Sequence, residues 1–293
     1  MSDSASRPPA GPEAEIAPIL ERIGRQADER AAQRTFDLYA KKLSLPPSPA
    51  SLPTDAQLEA VRSRALDARA ALGWAGGRTL EELQPPLREA LEIWDDGGYE
   101  WYWEARKANV PRGLWIADLA TAQQTAAVRA ARQFCLPEDE EDWDAVLDSP
   151  ARVLGLLGPV GCGKSFAGTG AMRELRVVAR TMAFLHFRTL SRALLDPERR
   201  DEALEEAIET DLILIDDVGG YLKVDGLIQN LVEEVVLERE LDRNRWTILT
   251  SNYRADRLYD LLGDRLRDRL ESDWGRIVEV RGPSLRRRLG LTA

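Results

Sequence analysis

The sequence predicts an α/β fold built on a parallel sheet covered on both faces, and three observations predict it. From residue 152 onward, short apolar runs recur: VLGLL (153–157), MAFLHF (182–187), LILID (212–216), WTILT (246–250) and RIVEV (276–280). They are mainly apolar rather than strictly alternating, which points to cover on both faces, and helical segments separate them, as crossover connections of a parallel sheet require. The third observation is GPVGCGKS at 158–165, directly after the first run and directly before a helical stretch. That is the strand–turn–helix setting of a phosphate-binding loop.

The elements follow in order. Residues 1–12 are rich in Ser, Pro and Ala and read as a disordered tail. Residues 13–43 carry Ile16, Leu20, Ile23, Ala27, Ala31 and Leu38 at helical spacing, and the proline-rich linker 44–53 cannot continue a helix. A second amphipathic helix is expected over 55–72, with Leu58, Val61, Ala65 and Leu72 on one face and Gly73 as its stop. Residues 13–75 thus form a small helical module suited to binding a partner. Residues 76–104 are a connector, and 105–293 a nucleotide-binding domain. The segment 91–115 holds Trp94, Tyr99, Trp101, Tyr102, Trp103 and Trp115. Local burial is the favoured reading, because tryptophan mostly serves packing; a partner hot spot or a base-stacking platform is the alternative. Past the loop, one helix is expected to run to about Arg180. Another is expected over 227–243, with Leu231, Val235, Leu237 and Leu241 facing inward.

Composition excludes several classes. The chain has 293 residues, 44% apolar and 31% charged, enough for one sizeable α/β core with an appendage. A net charge of −10 argues against a protein coated in basic patches for duplex DNA. The run RGPSLRRR (281–288) concentrates positive charge locally, as a solvated tail or a local anion contact. No apolar stretch is long enough to span a membrane, and the N-terminus lacks the pattern of a secretory signal, so a cytoplasmic protein is expected. Two cysteines, Cys135 and Cys162, and the single histidine His186 leave no zinc site or disulfide framework to expect. His186, on the second strand, reads as a satisfied core residue.

The candidate site begins with the loop Gly158, Pro159, Val160, Gly161, Cys162, Gly163, Lys164 and Ser165, continued by Phe166. Its glycines let backbone N–H groups turn toward phosphate oxygens, and the helix N-terminus adds partial positive charge. Lys164 would reach the β- and γ-phosphates of ATP and the Ser165 hydroxyl would coordinate Mg2+. In LILIDDVGG (212–220) two carboxylates emerge at a strand's C-terminal end, where open α/β sheets bind ligands. Asp216 would hold the Mg2+ shell and Asp217 would orient or deprotonate the attacking water. Asn252, in ILTSNY, would hydrogen-bond that water or the γ-phosphate. Arg265 and Arg269 in LLGDRLRDRL (261–270) lie four apart on one helix face. They make either a salt-bridged surface helix with Asp264 and Asp268 or an arginine finger acting on a neighbouring subunit.

Taken in this order, ARKANVPRGLW, GPVGCGKS, LILIDDVGG, TSNY, GDRLRDRL and GPSLRRR (spanning 105–289) resemble the AAA+ subgroup of DnaC/DnaI helicase loaders and IstB transposition ATPases. The resemblance implies a sheet order 5-1-4-3-2. It implies Walker A roles for Lys164 and Ser165, Walker B roles for Asp216 and Asp217, and a sensor role for Asn252. Arg269 matches the arginine finger, Arg265 its companion in the family motif, and Arg286 the family's C-terminal sensor-like arginine, the last two expected at the nucleotide. The chain ends about a dozen residues past the fifth strand, without the helical lid of most AAA+ proteins. The aromatic IWDDGGYEWYW stands where many relatives place zinc-binding cysteines.

Three functions are then open. The first is an ATP-dependent helicase loader that assembles in a ring or spiral, binds single-stranded DNA and presents its N-terminal helices to a hexameric replicative helicase. The second is an IstB-like helper that binds duplex DNA and a transposase. The third is a slowly hydrolysing nucleotide switch, to which Asp217 in place of the commoner Glu lends weight. A small-molecule kinase is disfavoured, because no lid segment with paired substrate arginines is present.

Overall fold

A computed structural model describes residues 52–74, 85–95, 98–136, 143–220, 226–242, 244–282 and 284. The expected tail, the helix over 13–43, most of the 44–53 linker, and Arg286 with its neighbouring arginines lie outside the described residues. The chain divides into two compact units, residues 1–103 and 104–293.

In the first unit, α1 (Asp55–Trp74) packs with α2 (Pro85–Asp95). A reciprocal cap sets its start: the Gln57 N–H donates to Thr54 Oγ1 (3.3 Å) while the Thr54 N–H donates to Gln57 Oε1 (2.7 Å). Leu58, Ala65 and Ala68 are buried along one face. The helix ends at Trp74, one residue past Gly73, within the usual scatter of helix ends. Of the connector aromatics, Trp94, Tyr99, Trp101 and Tyr102 are buried. Tyr99 and Tyr102 pack with ring centroids 5.8 Å apart, and Arg62 sits 4.2 Å over the Trp103 ring. α3 (Tyr99–Lys107) leads into the second unit.

The second unit is ordered as a short 3-10 turn (Arg112–Leu114), α4 (Ala126–Cys135), α5 (Trp143–Asp148), β1 (Val153–Leu157), α6 (Lys164–Leu175), β2 (Met182–His186) and α7 (Phe187–Leu195). It continues with α8 (Arg200–Glu209), β3 (Leu212–Val218), α9 (Gly226–Glu240), β4 (Trp246–Ser251), α10 (Ala255–Leu262), α11 (Asp264–Leu270) and β5 (Gly275–Glu279). The strands pair in parallel in the order β2-β3-β4-β1-β5, which is 5-1-4-3-2 read from the other edge. β1 and β4 are buried along their whole length, as central strands covered on both faces must be. On one face Phe187, Leu190, Ile228, Val235, Leu258 and Leu266 bring α7, α9, α10 and α11 onto the sheet. α6 packs against α4 and against β3 and β4.

Three expectations are corrected. α6 ends at Leu175, not near Arg180. The chain turns there to reach β2, whose entry is tied down by the Arg180 and Thr181 N–H groups donating to the Asp211 carboxylate. In α9 the inward face is Ile228, Leu231, Val232, Val235, Val236 and Arg239, while Leu241 lies past the helix and is 80% exposed. Periodicity hides Arg239 because a guanidinium counts as polar; here it is fully buried. Its Nε donates to Thr247 Oγ1 (2.8 Å) and its Nη groups to the carbonyls of Ala207 (3.0 Å), Ile208 (3.0 Å), Thr210, Asp211 (3.2 Å) and Trp246 (2.6 Å). It closes the C-terminus of α8 onto the starts of β3 and β4. Finally, His186 is no core residue: its side chain is 53% exposed at the end of β2.

Candidate functional site

The site lies at the C-terminal edge of the sheet, where β1, β3 and β4 end. Gly161 and Gly163 adopt φ of +86° and +83°, left-handed geometry that side-chain-bearing residues resist, and Gly163 caps α6. Val160 and Pro159 are exposed at the loop's tip, whereas Gly158 and Cys162 are buried and Phe166 is half-buried on the helix. The Cys162 thiol donates to the Gly282 carbonyl (3.2 Å), so it ties the loop to the chain leaving β5.

Lys164 is buried, and its Nζ donates to the carbonyls of Gly158 (2.8 Å) and Pro159 (2.8 Å) and to Asn252 Oδ1 (3.0 Å). These are uncharged acceptors that phosphate oxygens can replace. Asn252 Nδ2 in turn donates to Asp217 Oδ1. One asparagine at the end of β4 therefore links the loop lysine to the second carboxylate of β3.

The other half of the site is a bulge. β3 and β4 pair in step up to Ile215 with Leu249, and resume at Val218 with Ser251. Asp216 and Asp217 thus stand opposite the single residue Thr250. Bulges re-aim side chains at the cost of ladder bonds, and Thr250 takes up the loss: its Oγ1 accepts from the Asp217 N–H (3.0 Å) and donates to Asp216 Oδ1 (2.6 Å). Asp217 is held at φ +60°, a left-handed conformation uncommon outside glycine, which aspartate and asparagine adopt more readily than other residues. Its carboxylate folds back over Gly220, where an added Cβ would stand 2.2 Å from Asp217 Oδ2. Burial first, and then the neighbouring Asp216 carboxylate, raise the Asp217 pKa above the ordinary aspartate value. Thr250 is the site residue that motif reading missed. The signal available was a hydroxyl directly opposite the acid pair once the two strands are paired.

Ser165 Oγ donates to Asp216 Oδ1 at 2.6 Å. A hydroxyl and a carboxylate oxygen this close, at the mouth of a loop with inward-turned amides, are a hard-oxygen donor set that fits Mg2+ completed by water and substrate phosphate. His186 Nδ1 lies 3.6 Å from Asp216 Oδ2 on the side away from Ser165's partner oxygen. Among the described residues no group of three or more His, Cys, Asp or Glu side chains is arranged to hold a metal, and no helix is long and apolar enough to cross a membrane.

The structure brings Lys164, Ser165, Asp216, Asp217 and Asn252 into one hydrogen-bonded network. It does not bring Arg265 or Arg269 into it. Arg265 Nη1 faces Glu233 Oε1 (3.8 Å) and Arg269 Nε faces Glu240 Oε2 (3.3 Å), both acids on α9. Their partners are therefore on another helix, not Asp264 and Asp268 of their own.

No protein-family model matches the chain, and no curated protein matches it. Among solved structures, it is similar to DnaI, at 20% identity over 60% of this chain and 93% of that one, with a TM-score of 0.48. It is similar to the DnaC helicase loader at 16% identity, over 57% and 98% of the two chains, with a TM-score of 0.46. It is also similar to the replication initiator DnaA bound to AMPPCP and single-stranded DNA, at 20% identity over 57% of this chain, with a TM-score of 0.46. The chain spans about half the length of the replication initiation proteins it matches. The sheet order, with the glycine-rich loop between β1 and α6 and the acid pair at the end of β3, has its own weight. The fold is a five-stranded parallel sheet in the order 5-1-4-3-2 that the sequence resemblance implies. With TM-scores below 0.5 and identities of 20% or less, these likenesses carry no argument here; fold and function are read from the chain's own topology and site.

Proposed function

We propose that this chain is a Mg2+-dependent ATPase of the helicase-loader kind. In this reading it hydrolyses ATP at interfaces between its own copies, binds single-stranded DNA, and uses its N-terminal helices to deliver or activate a hexameric replicative helicase. The observation that carries the ATPase reading is the continuous network from Lys164 through Asn252 to Asp217, with Ser165 and Asp216 beside it.

Each residue then has a task. The loop amides and Lys164 take the phosphates, the ammonium exchanging neutral oxygens for charged ones. Ser165 and Asp216 hold Mg2+, which when bound would neutralise charge on the phosphate oxygens. Asp217 orients the attacking water and accepts its proton; a raised pKa makes it a stronger base than an ordinary surface carboxylate. Thr250 fixes both carboxylates. Asn252 gives up Asp217 to the water or the γ-phosphate. Arg269, outside this network in its own chain, stabilises transition-state charge at the site of a neighbouring copy. Arg265 and Arg286 are its companions at the nucleotide.

Arg188 and Arg192 support the DNA-binding part. They lie one turn apart on the exposed face of α7, and neither side chain has an ion pair or hydrogen bond among the described residues. Unpaired arginines on an acidic chain are available to a phosphate backbone. ATP turnover measured with and without single-stranded DNA tests the proposal. The expected result is slow turnover accelerated by DNA. Negligible turnover without stimulation would replace it with the nucleotide-switch reading.

A further inference from the structure

α11 carries Arg265 and Arg269 one helical turn apart, and α9 carries Glu233 and Glu240 two turns apart on one face. The two ion pairs between them join the helices at two points. Their members differ in freedom. The glutamate side chains are only 15% and 25% exposed, whereas Arg265 is 83% and Arg269 49% exposed. The acids are fixed in the α9 surface, and the arginines lie over them from solvent. Glu233 Oε1 is buried without a hydrogen bond, so Arg265 serves it by charge alone. The ion pairs are not what holds α11 in place, because Leu266 and Leu270 are buried beneath the helix.

We propose that Glu233 and Glu240 park the two arginines in the lone chain and release them to the nucleotide phosphates of a second copy. The acids thereby set the concentration at which copies assemble into active sites. This rests on the reading of Arg269 as a residue acting between copies. The strengths fit such an exchange: half-exposed ion pairs are weak, while an arginine on a phosphate forms stronger, charge-assisted bonds. Parking also keeps two exposed guanidinium groups off unrelated anions until a nucleotide-loaded neighbour arrives.

The test is ATP turnover as a function of protein concentration, using the full chain. Glu240→Gln, and Glu233→Gln combined with it, should lower the half-maximal concentration by roughly two- to tenfold. Turnover per site at saturation and the melting temperature should be unchanged, and Glu240→Asp, which keeps the charge, should behave like the wild type. An unshifted concentration dependence overturns the proposal. So does a reduced saturating rate, which would mean that the acids position the arginines for action rather than withhold them. The parent reading fails separately: if Arg269→Ala turns over ATP normally at every concentration, no arginine is being handed across. If Arg269→Ala is inactive while Glu240→Gln is unshifted, the reading between copies stands and the parking does not.

Discussion

Two ends of the same pair of strands handle charge in opposite ways. At the start of β3 and β4, Arg239 is buried and every arm of its guanidinium ends on a carbonyl or hydroxyl of the protein. At the far end, Asp216 and Asp217 sit in a bulge, one of them in left-handed backbone, sharing Thr250, Asn252 and Ser165 as partners. The first charge is saturated by groups that have nowhere else to go, and it is structural. The second set is satisfied by side chains that can change partners, and its backbone strain is of the kind that collects at functional sites. A buried charge thus reveals its role through how replaceable its partners are.

Breaking the saturated end should have the largest effect. Arg239→Ala strands carbonyls from three elements and should cost about 3–5 kcal/mol of stability, read as a fall in melting temperature of on the order of 10 °C. Any protein that remains folded should keep its nucleotide affinity. A loss of affinity without a loss of stability would break the division between the two ends.

At the other end the order reverses. Lys164→Ala should leave the melting temperature of the free protein near that of the wild type. It should weaken ATP binding by a factor of at least about 100, or roughly 2.7 kcal/mol, measured by calorimetric titration. Thr250→Val keeps the shape but removes the hydroxyl that bridges both carboxylates. We expect a stability loss of about 1–2 kcal/mol and turnover slowed on the order of tenfold, with ATP affinity nearly unchanged. The smallest stability effect sharpens the comparison most. Asp217→Asn removes a charge that burial disfavours and places asparagine in a left-handed conformation it tolerates well. It should abolish turnover and yet raise stability by about 0.5 kcal/mol, seen as a small rise in melting temperature.

The sequence made much of this architecture legible, for physical reasons. Runs such as VLGLL and LILID, short, continuous and bounded by turn residues, read as strands covered on both faces, and the loop glycines and the acid pair carry their chemistry in residue type and spacing. What it hid depends on three-dimensional pairing. Thr250 matters because a bulge sets one residue against two, which no linear pattern records. Arg239 was invisible because most of its partners are carbonyls nearly thirty residues or more away, with Thr247 and the Trp246 carbonyl reached only across the turn into β4. His186 looked like a core residue from its strand, but it lies at the strand's last position, where the chain emerges beside Asp216. The ion-pair partners of Arg265 and Arg269 lie on α9, more than twenty residues upstream, although acids stood closer in sequence.

The central claim is that the network at the end of β3 and β4 is half of an ATPase site and that Arg269 of another copy completes it. Mixing two inactive variants tests this most directly. Lys164→Ala binds ATP at least about 100-fold more weakly but carries the arginine; Arg269→Ala binds ATP but lacks it. Each alone should show no turnover. An equimolar mixture should recover about a quarter of the wild-type rate, because in a head-to-tail assembly that fraction of interfaces pairs an intact loop with an intact arginine. A mixture as inactive as its components would contradict the account.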